Sequence, residues 1–508
     1  MTGAVSWSQL VNPSYIAVLP HLLITATLLV VMVVDFYVKE KRNLVWVTLG
    51  GVVLALASVW WSATDPTIQS AIAARRPLEY WGNMIIADGF TFFMNAVLLG
   101  IAALVILLSS DYVAKFLRGA YMEFYEIVLA VTLGMMFMVS SRDLLTIYIG
   151  LELSSISSYI LAGILRKDAK SNEAGLKYFL TGSVASAVLL FGLSLIFGAT
   201  GTTRLPEIAA SLLGASPVVA AAGSALTPLL VTGMVFLIAG FAFKVAAVPM
   251  HLWAPDVYEG SATPVTAFFS VGPKGAAMAA ILRVFVGGLG VAPYTERWTL
   301  IWAVVAAVSM TLGNLVALQQ TNIKRMMAYS SIAQAGYILV GVAASGLQVA
   351  EGISSVLFYV MAYAVTNLGI FAVLTHMDQE GGWVAVDDFK GLANRNPMYA
   401  WALLLFFVSL IGIPPTVGFL GKVFLFQAAA EAGYVWLAVL MAINSVISVG
   451  YYYRVVKVMF LEKGDQPALQ RSGPIGVTVV LSLVGVVLFT IFANPFVQWT
   501  AQSAALLK

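Results

Sequence analysis

Apolar runs of about 20 residues follow one another almost from end to end of this chain, and no other feature constrains its fold as strongly. A run of 18 or more apolar residues is what a helix needs to cross the hydrocarbon of a bilayer. In lipid every backbone N–H and C=O must be satisfied internally, and these runs lack two-residue alternation, so they are helices and not barrel strands. Only 10% of the 508 residues are charged, against roughly a quarter in an average soluble chain. A soluble enzyme and a large extramembranous domain are thereby excluded. The fold class read from the sequence is an all-α, polytopic membrane protein.

Polar and Gly/Pro-rich breaks divide the runs into fourteen predicted spans, near 14–34, 43–62, 83–109, 121–139, 143–164, 174–198, 226–258, 262–289, 298–318, 322–344, 352–376, 398–430, 433–460 and 473–495. Residues 1–13 carry no Lys or Arg, so the basic start of a signal peptide is missing and the first run is read as a retained span. Of the 27 Lys and Arg residues, fourteen fall in loops on one face, including Lys39, Lys115, Arg166, Lys324, Arg395 and Arg471. Six fall on the other, namely Arg75, Arg76, Arg142, Arg204, Arg297 and Lys508, and seven lie inside spans or at their ends. Cytoplasmic loops are the base-rich ones. An even span count then puts both termini on the outer, periplasmic side of a bacterial cell (inner) membrane.

Cysteine is absent, which excludes disulfides, thiolate-held iron–sulfur clusters and a cysteine nucleophile. His21, His251 and His376 are too scattered for a metal or haem cluster, and a formal charge of +3 spread over short loops points to no nucleic acid. Gly421-Lys422 resembles the tail of a phosphate loop, but Thr416 stands where a glycine is needed and no Ser or Thr follows.

Two runs, 226–258 and 398–430, are about ten residues too long for one crossing. Each contains a lysine and a proline break, Lys244 with Pro249 in the first and Lys422 with Pro414 and Pro415 in the second. Proline removes a donor and clashes with the preceding turn, so both read as interrupted helices; an ordinary proline kink is the plainer alternative. Lys244 and Lys422 are 178 residues apart, Tyr159 and Tyr337 also 178, and Thr132-Leu133-Gly134 returns as Thr311-Leu312-Gly313 at 179. Five spans fit in that offset, an odd number, so the second copy is inverted relative to the first. Inverted repeats with an interrupted helix in each half are a transporter pattern.

Charges deep in lipid need a reason, since each costs roughly 2.5–3.5 kcal/mol on insertion scales. Glu152 and Lys274 are about 14 and 20 Å into their spans at about 1.5 Å per residue. Lys244 and Lys422 sit beside the helix breaks. The plain reading is a buried ion pair holding helices together, but three lysines face a single deep acid. Burial disfavours a charged ammonium and a nearby carboxylate restores it. Moving Glu152 toward or away from Lys244 would therefore load or unload a proton, which is relay chemistry. Lys177, a few residues inside its span, is either a supporting relay group or a lysine snorkelling to the interface. His251, next to a break, suits proton passage, and by itself equally suits a structural hydrogen bond.

The stretch KVAAVPMHLWAPDVYEGSATPVTAF resembles the hallmark of the antiporter-like subunits of respiratory complex I, the proton-translocating NADH:quinone oxidoreductase, and these are similar to subunits of multisubunit cation/proton antiporters. ADGFTFF, YIGLELSSISSYIL, GLKYFLTGS, KRMMAYSSIAQAGY and PPTVGFLGKVFLF extend the likeness over essentially the whole chain. With lysine at position 422 the chain resembles the N-type branch, which includes counterparts in the mitochondrial and photosynthetic complexes; glutamate is usual there in the M-type. The chain length leaves no room for the long lateral helix of the L-type. Ala262 departs from the commoner proline and touches nothing central.

The resemblance implies fourteen helices, with two inverted five-helix repeats and interrupted helices 7 and 12. Three N-terminal helices would occupy 1–120, the first repeat 121–289, the inverted repeat 298–460 and helix 14 the segment 473–508. It implies a proton relay through Glu152, Lys244, Lys274 and Lys422, supported by Lys177 and His251, coupled to quinone reduction in other subunits. The chain would be a translocase subunit with no redox chemistry and no cofactor of its own, NADH (or ferredoxin), FMN, iron–sulfur clusters and quinone belonging to other subunits. Its partners would be the lipid bilayer and membrane-arm subunits of the M, K and J types. Two alternatives stay open at this point: a subunit of an Mrp-type Na⁺/H⁺ antiporter without redox coupling, and a structural membrane-arm subunit that no longer pumps.

Overall fold

The computed structural model describes residues 13–74, 78–82, 84–215, 227–505 and 507. Arg75, Arg76 and Lys508 of the base count, and the segment 1–12, lie outside the described residues. The chain enters through α1 (Pro13–Tyr37), α2 (Leu44–Thr64), the short α3 (Pro66–Ala73) and an antiparallel hairpin of β1 (Leu78–Tyr80) and β2 (Ile85–Ala87). There follow α4 (Gly89–Phe116), α5 (Tyr121–Val139), α6 (Leu144–Ala162), α7 (Ala169–Thr200), the short α8 (Leu205–Ala210), the half-helices α9 (Thr227–Lys244) and α10 (Trp253–Gly260), and α11 (Thr263–Gly287). The remainder comprises α12 (Tyr294–Ala317), α13 (Ile323–Ala344), α14 (Val349–Gly381), the one-turn α15 (Leu392–Arg395), the half-helices α16 (Pro397–Ile411) and α17 (Val417–Glu431), α18 (Val435–Leu461), α19 (Gly473–Ile491) and α20 (Ala493–Ala504).

Among the described residues, twelve helices are long and apolar enough to cross a membrane. The pairs α9/α10 and α16/α17 supply two interrupted crossings, so the protein is a multi-pass membrane protein with fourteen crossings among those residues. Span edges differ from the predicted ones where tertiary contacts override hydropathy. The predicted span 83–109 is a helix only from Gly89, because Asp88 caps it by accepting from Thr91 N–H (2.7 Å) and the apolar residues before it form β2. At its other end the helix runs on to Phe116, and α14 likewise outlasts its predicted 352–376. Hydropathy does not separate the amphipathic α20 from the last span. It returns to the bundle, where Trp499 packs edge-on against Phe93.

The surface ion pairs join residues that the segmentation puts on one face: Arg42 with Asp111, Lys170 with Glu259 and Lys390 with Glu462 on the base-rich face, Arg204 with Glu79 and Glu207 on the other.

Local geometry recurs at the spacing read from the sequence. Asp143 caps α6 and bridges Arg204, while Asn322 caps α13 and bridges Ala385. Both bridges tie the start of a helix to the loop after the next one, and an odd number of crossings separates them, so they lie on opposite faces. Gly134 lets α5 approach α6 so closely that an added Cβ would stand 2.6 Å from the Gly150 carbonyl and the Ser154 nitrogen. Gly313 does the same for α12 against Tyr329 and Ala333 of α13. Small residues drive such contacts where lipid offers no hydrophobic force between helices.

Candidate functional site

The two helix breaks create the setting for the buried lysines. α9 ends in a cap in which Ala246 takes a left-handed φ of 57° and Ala247 N–H reaches back to Ala242 O (2.8 Å). Glycine normally fills that position, so Ala246 holds strain on the order of 1 kcal/mol beside Lys244. Freed groups are satisfied by neighbours: Val248 N–H donates to Ser309 Oγ (2.9 Å), and Trp253 Nε1–H donates to Phe243 O (3.0 Å). In the second break Gly412 takes the left-handed position (φ 86°), and Ile413 N–H reaches Val408 O (3.1 Å).

These caps correct one inference from the sequence. The left-handed residues Ala246 and Gly412 are 166 apart, as are Pro249 and Pro415, so the lysines at 178 do not occupy equivalent backbone positions. Lys244 ends the half-helix before its break; Lys422 lies within the half-helix after its own. Their ammonium groups nevertheless converge on matching places. Lys244 Nζ stands 5.6 Å from the ring centre of Tyr159 and Lys422 Nζ 4.5 Å from that of Tyr337, the two tyrosines paired by sequence at 178.

Lys274 and Lys422 are buried and Lys244 partly so, and each donates only to neutral oxygens, as does the buried Lys324 near the start of α13, to Ser261 O (2.6 Å). Lys244 Nζ donates to Ser155 Oγ (2.5 Å) and Tyr159 OH (3.4 Å). Lys422 Nζ donates to Ile411 O (2.9 Å), a carbonyl freed by the break, and to Ser445 Oγ (3.0 Å). Lys274 Nζ donates to Ser331 O (2.7 Å) and to Ser331 Oγ. None has a carboxylate within 4.0 Å among the described residues. Hydroxyls both donate and accept, so an ammonium held by Ser and Tyr oxygens has routes by which a proton can leave.

Lys422 also dictates a glycine. A Cβ at position 412 would come within 2.9 Å of Lys422 Cδ, on a backbone that disfavours any side chain. Gly412→Ala should therefore displace the Lys422 head and cost roughly 1–2 kcal/mol from the left-handed strain alone. A lowered unfolding temperature together with impaired proton movement is the expected result.

Ser331 is the hub between the halves of the molecule. Its Oγ lies 3.3 Å from Tyr258 OH of α10 and accepts from Tyr363 OH of α14 (3.1 Å), while Lys274 reaches it from α11. One turn further along α13, Gln334 accepts from Tyr359 OH (2.5 Å) and donates to Leu410 O (3.4 Å), immediately before the second break. Asn314 then donates to Tyr337 OH (2.9 Å) and Asn444 Oδ1 (3.3 Å) and accepts from Tyr451 OH (3.0 Å). Separate clusters of interior polar groups, around Lys244, Ser331, Gln334 and Asn314, thus recur from α6 to α18.

Glu152 is half-buried on α6 and accepts from Ser186 Oγ of α7 (2.6 Å). It makes no ion pair with Lys244, which donates to Ser155, three residues on along the same helix. Lys177 is not in these clusters. It pairs with Glu173 (2.6 Å) and Asp256 (2.8 Å) at the base-rich face, where Arg325 also bonds Asp256 and Glu259. His251 is buried in the first break, and its Nδ1 has no hydrogen-bond partner among the described atoms.

Sequence reasoning counts one deep acid and misses a second. Asp88 is fully buried and takes a two-pronged contact from Arg283 (2.6 and 2.8 Å), which also donates to Thr91 Oγ1 (2.8 Å) and Val139 O (3.2 Å). Two signals could have found it: an arginine within an apolar span, and an Asp three residues before the N–H it caps. Arg283 fully occupies this acid, so the three lysines still lack a carboxylate partner.

A helical membrane bundle with two broken helices and interior lysines bonded to hydroxyls and carbonyls defines the class of antiporter-like membrane subunits. Residues 141–448 match the family model described as NADH:quinone oxidoreductase/Mrp antiporter, transmembrane. NADH-quinone oxidoreductase subunit N 2 of Symbiobacterium thermophilum is 82% identical over 507 residues, covering the full length of both chains. Subunit N of Rhodospirillum rubrum is 41% identical, with 96% of each chain covered. A chain of respiratory complex I from Thermus thermophilus superposes with a TM-score of 0.76 at 29% identity, covering 94% of this chain and 98% of that one. A chain of the archaeal membrane-bound sulfane sulfur reductase (TM-score 0.84, 23% identity, 97% and 98% covered) and one of the Mrp complex of Dietzia (0.83, 21%, 97% of each) share the fold. The chain belongs to the NADH-quinone oxidoreductase subunit N family.

Proposed function

We propose that this chain moves protons across the membrane as a membrane-arm subunit of a quinone-reducing complex, through its own interior polar side chains. The observation that carries this is that Lys244, Lys274 and Lys422, from the two broken helices and from α11, are each bonded only to neutral oxygens among the described residues. A purely structural buried charge is expected to be paired. Glu152 and Lys244 act as the switchable pair; Lys274 passes the proton across at Ser331, and Lys422 is the terminal store. Lys177 and His251 support uptake from the base-rich side.

The chain divides into three leading helices over 1–120, a first repeat over 121–289, an inverted repeat over 298–460 and a closing segment over 473–508. Both termini lie on the periplasmic side of the cell membrane. Neighbours are membrane-arm subunits of the M, K and J types, and NADH, FMN, iron–sulfur clusters and quinone are held by other subunits. Glu152→Gln tests the relay in inverted membrane vesicles. The rate of proton movement through this chain should fall at least about tenfold, toward the 10²–10⁴ that a positioned proton-transfer group contributes, so that proton yield per quinone reduced drops with assembly intact. Full yield would sink the relay, and pumping that strictly requires sodium would favour the antiporter reading.

A further inference from the structure

A groove of about 820 Å³ opens on the base-rich face between the starts of α16 and α19. Its polar rim carries Arg395 and Arg471, each two residues before its helix begins, and its wall descends along Met398, Val477, Val480 and Leu481, all of them exposed. No Asp or Glu lines it.

The rim is constructed and not incidental. Asn396 donates to Leu469 O (3.2 Å) and accepts from Leu469 N–H (2.8 Å), pinning the strand that leads into α19. Arg395 donates to three carbonyls, of Pro467 (3.0 Å), Asp388 (2.9 Å) and Lys390 (3.2 Å), and its Nε–H has no acceptor. Neither arginine forms an ion pair within 4.0 Å among the described residues. The nearby acids are engaged elsewhere: Asp111 by Arg42 and Ser472, Asp388 by the Ala385 N–H. The positive charges of Arg395, whose hydrogen bonds go to neutral carbonyls and whose plane lies over Trp383, and of Arg471, at the rim of an apolar channel, match a ligand with an anionic head and a hydrocarbon tail. Basic pockets between helices on the cytoplasmic side suit such headgroups, and that leaflet is the anionic one.

We infer that this groove is a binding site for one anionic phospholipid, with the phosphodiester at Arg395 and Arg471 and an acyl chain along the α19 wall. The site rests on the base-rich face being cytoplasmic and is independent of the relay. Gly476 offers a clean probe, because it lines the groove and an added Cβ there meets nothing within 4 Å, so a larger side chain can enter the groove from the helix.

The test uses the whole purified complex, delipidated and titrated with dioleoyl phosphatidylglycerol or dioleoyl phosphatidylcholine, with bound lipid counted by native mass spectrometry. The wild type should take up one phosphatidylglycerol that Gly476→Trp does not. Arg471→Gln should weaken that uptake about fivefold, as one basic residue at the surface contributes, and Arg471→Lys should retain it. Uptake unchanged in both Gly476→Trp and Arg471→Gln would overturn the site. So would equal uptake of the two lipids, equal competition by glycerol phosphate without chains, or no uptake by the wild type because a partner subunit covers the groove.

Discussion

Replacing Lys244 by alanine should uncouple this subunit: proton movement through it slows at least about tenfold, and in inverted vesicles the proton yield per quinone reduced drops while the complex assembles and still oxidises its donor. The expectation follows from what Lys244 touches. Its ammonium is held by Ser155 and Tyr159 at the end of a half-helix, and no neighbour can take its place as a cation there. A positioned proton-transfer group contributes typically 10²–10⁴ in rate, so its loss should dominate the phenotype. Folding should suffer little, because the change removes a buried charge that has no carboxylate partner, and alanine favours helix at that last turn. Unchanged pumping in Lys244→Ala would reduce the interior lysines to a scaffold.

Breaking the Asp88–Arg283 pair should have the opposite signature. Asp88→Ala or Arg283→Ala leaves one buried, uncompensated charge, which costs roughly 3–5 kcal/mol. Little assembled complex should then accumulate in membranes, and what survives should unfold at a clearly lower temperature. The double variant Asp88→Leu with Arg283→Met should recover most of the assembly, since an apolar replacement of a buried pair is often neutral or stabilising. Pumping per assembled complex should be normal in that variant, because the pair anchors the start of α4 to the far end of α11 and lies outside the lysine clusters. Failure of the double variant to assemble better than either single one would show that the contact does more than neutralise charge.

Much of this architecture is legible in the sequence, unevenly. Hydropathy locates the crossings because each apolar residue contributes its transfer free energy locally, whatever its neighbours do. The breaks are visible through Pro249, Pro414 and Pro415, yet their centres are not equally so. Gly412 advertises a left-handed cap, whereas Ala246 adopts the same conformation with no local signal. Tyr159 and Tyr337 are correctly paired by spacing, while Lys244 and Lys422, at the same spacing, come from opposite sides of their breaks and only their heads coincide. Glu152 and Lys244, read from the sequence as a switchable pair, make no ion pair here: Glu152 is bonded to Ser186 and Lys244 to Ser155 and Tyr159.

The sequence by itself determined that the chain crosses the membrane, how often, and with two crossings interrupted, because these depend on short-range hydropathy and proline stereochemistry. Only the tertiary structure decided which polar groups meet. Asp88 finds Arg283 across 195 residues, Lys274 finds Ser331 across 57, and Lys177 is drawn to Asp256 at the face and away from the interior lysines. Such pairings are set by how close helices pack, which depends on small residues such as Gly134 and Gly313 on facing helices. That information resides in no single segment, so it becomes readable only when the segments are brought together.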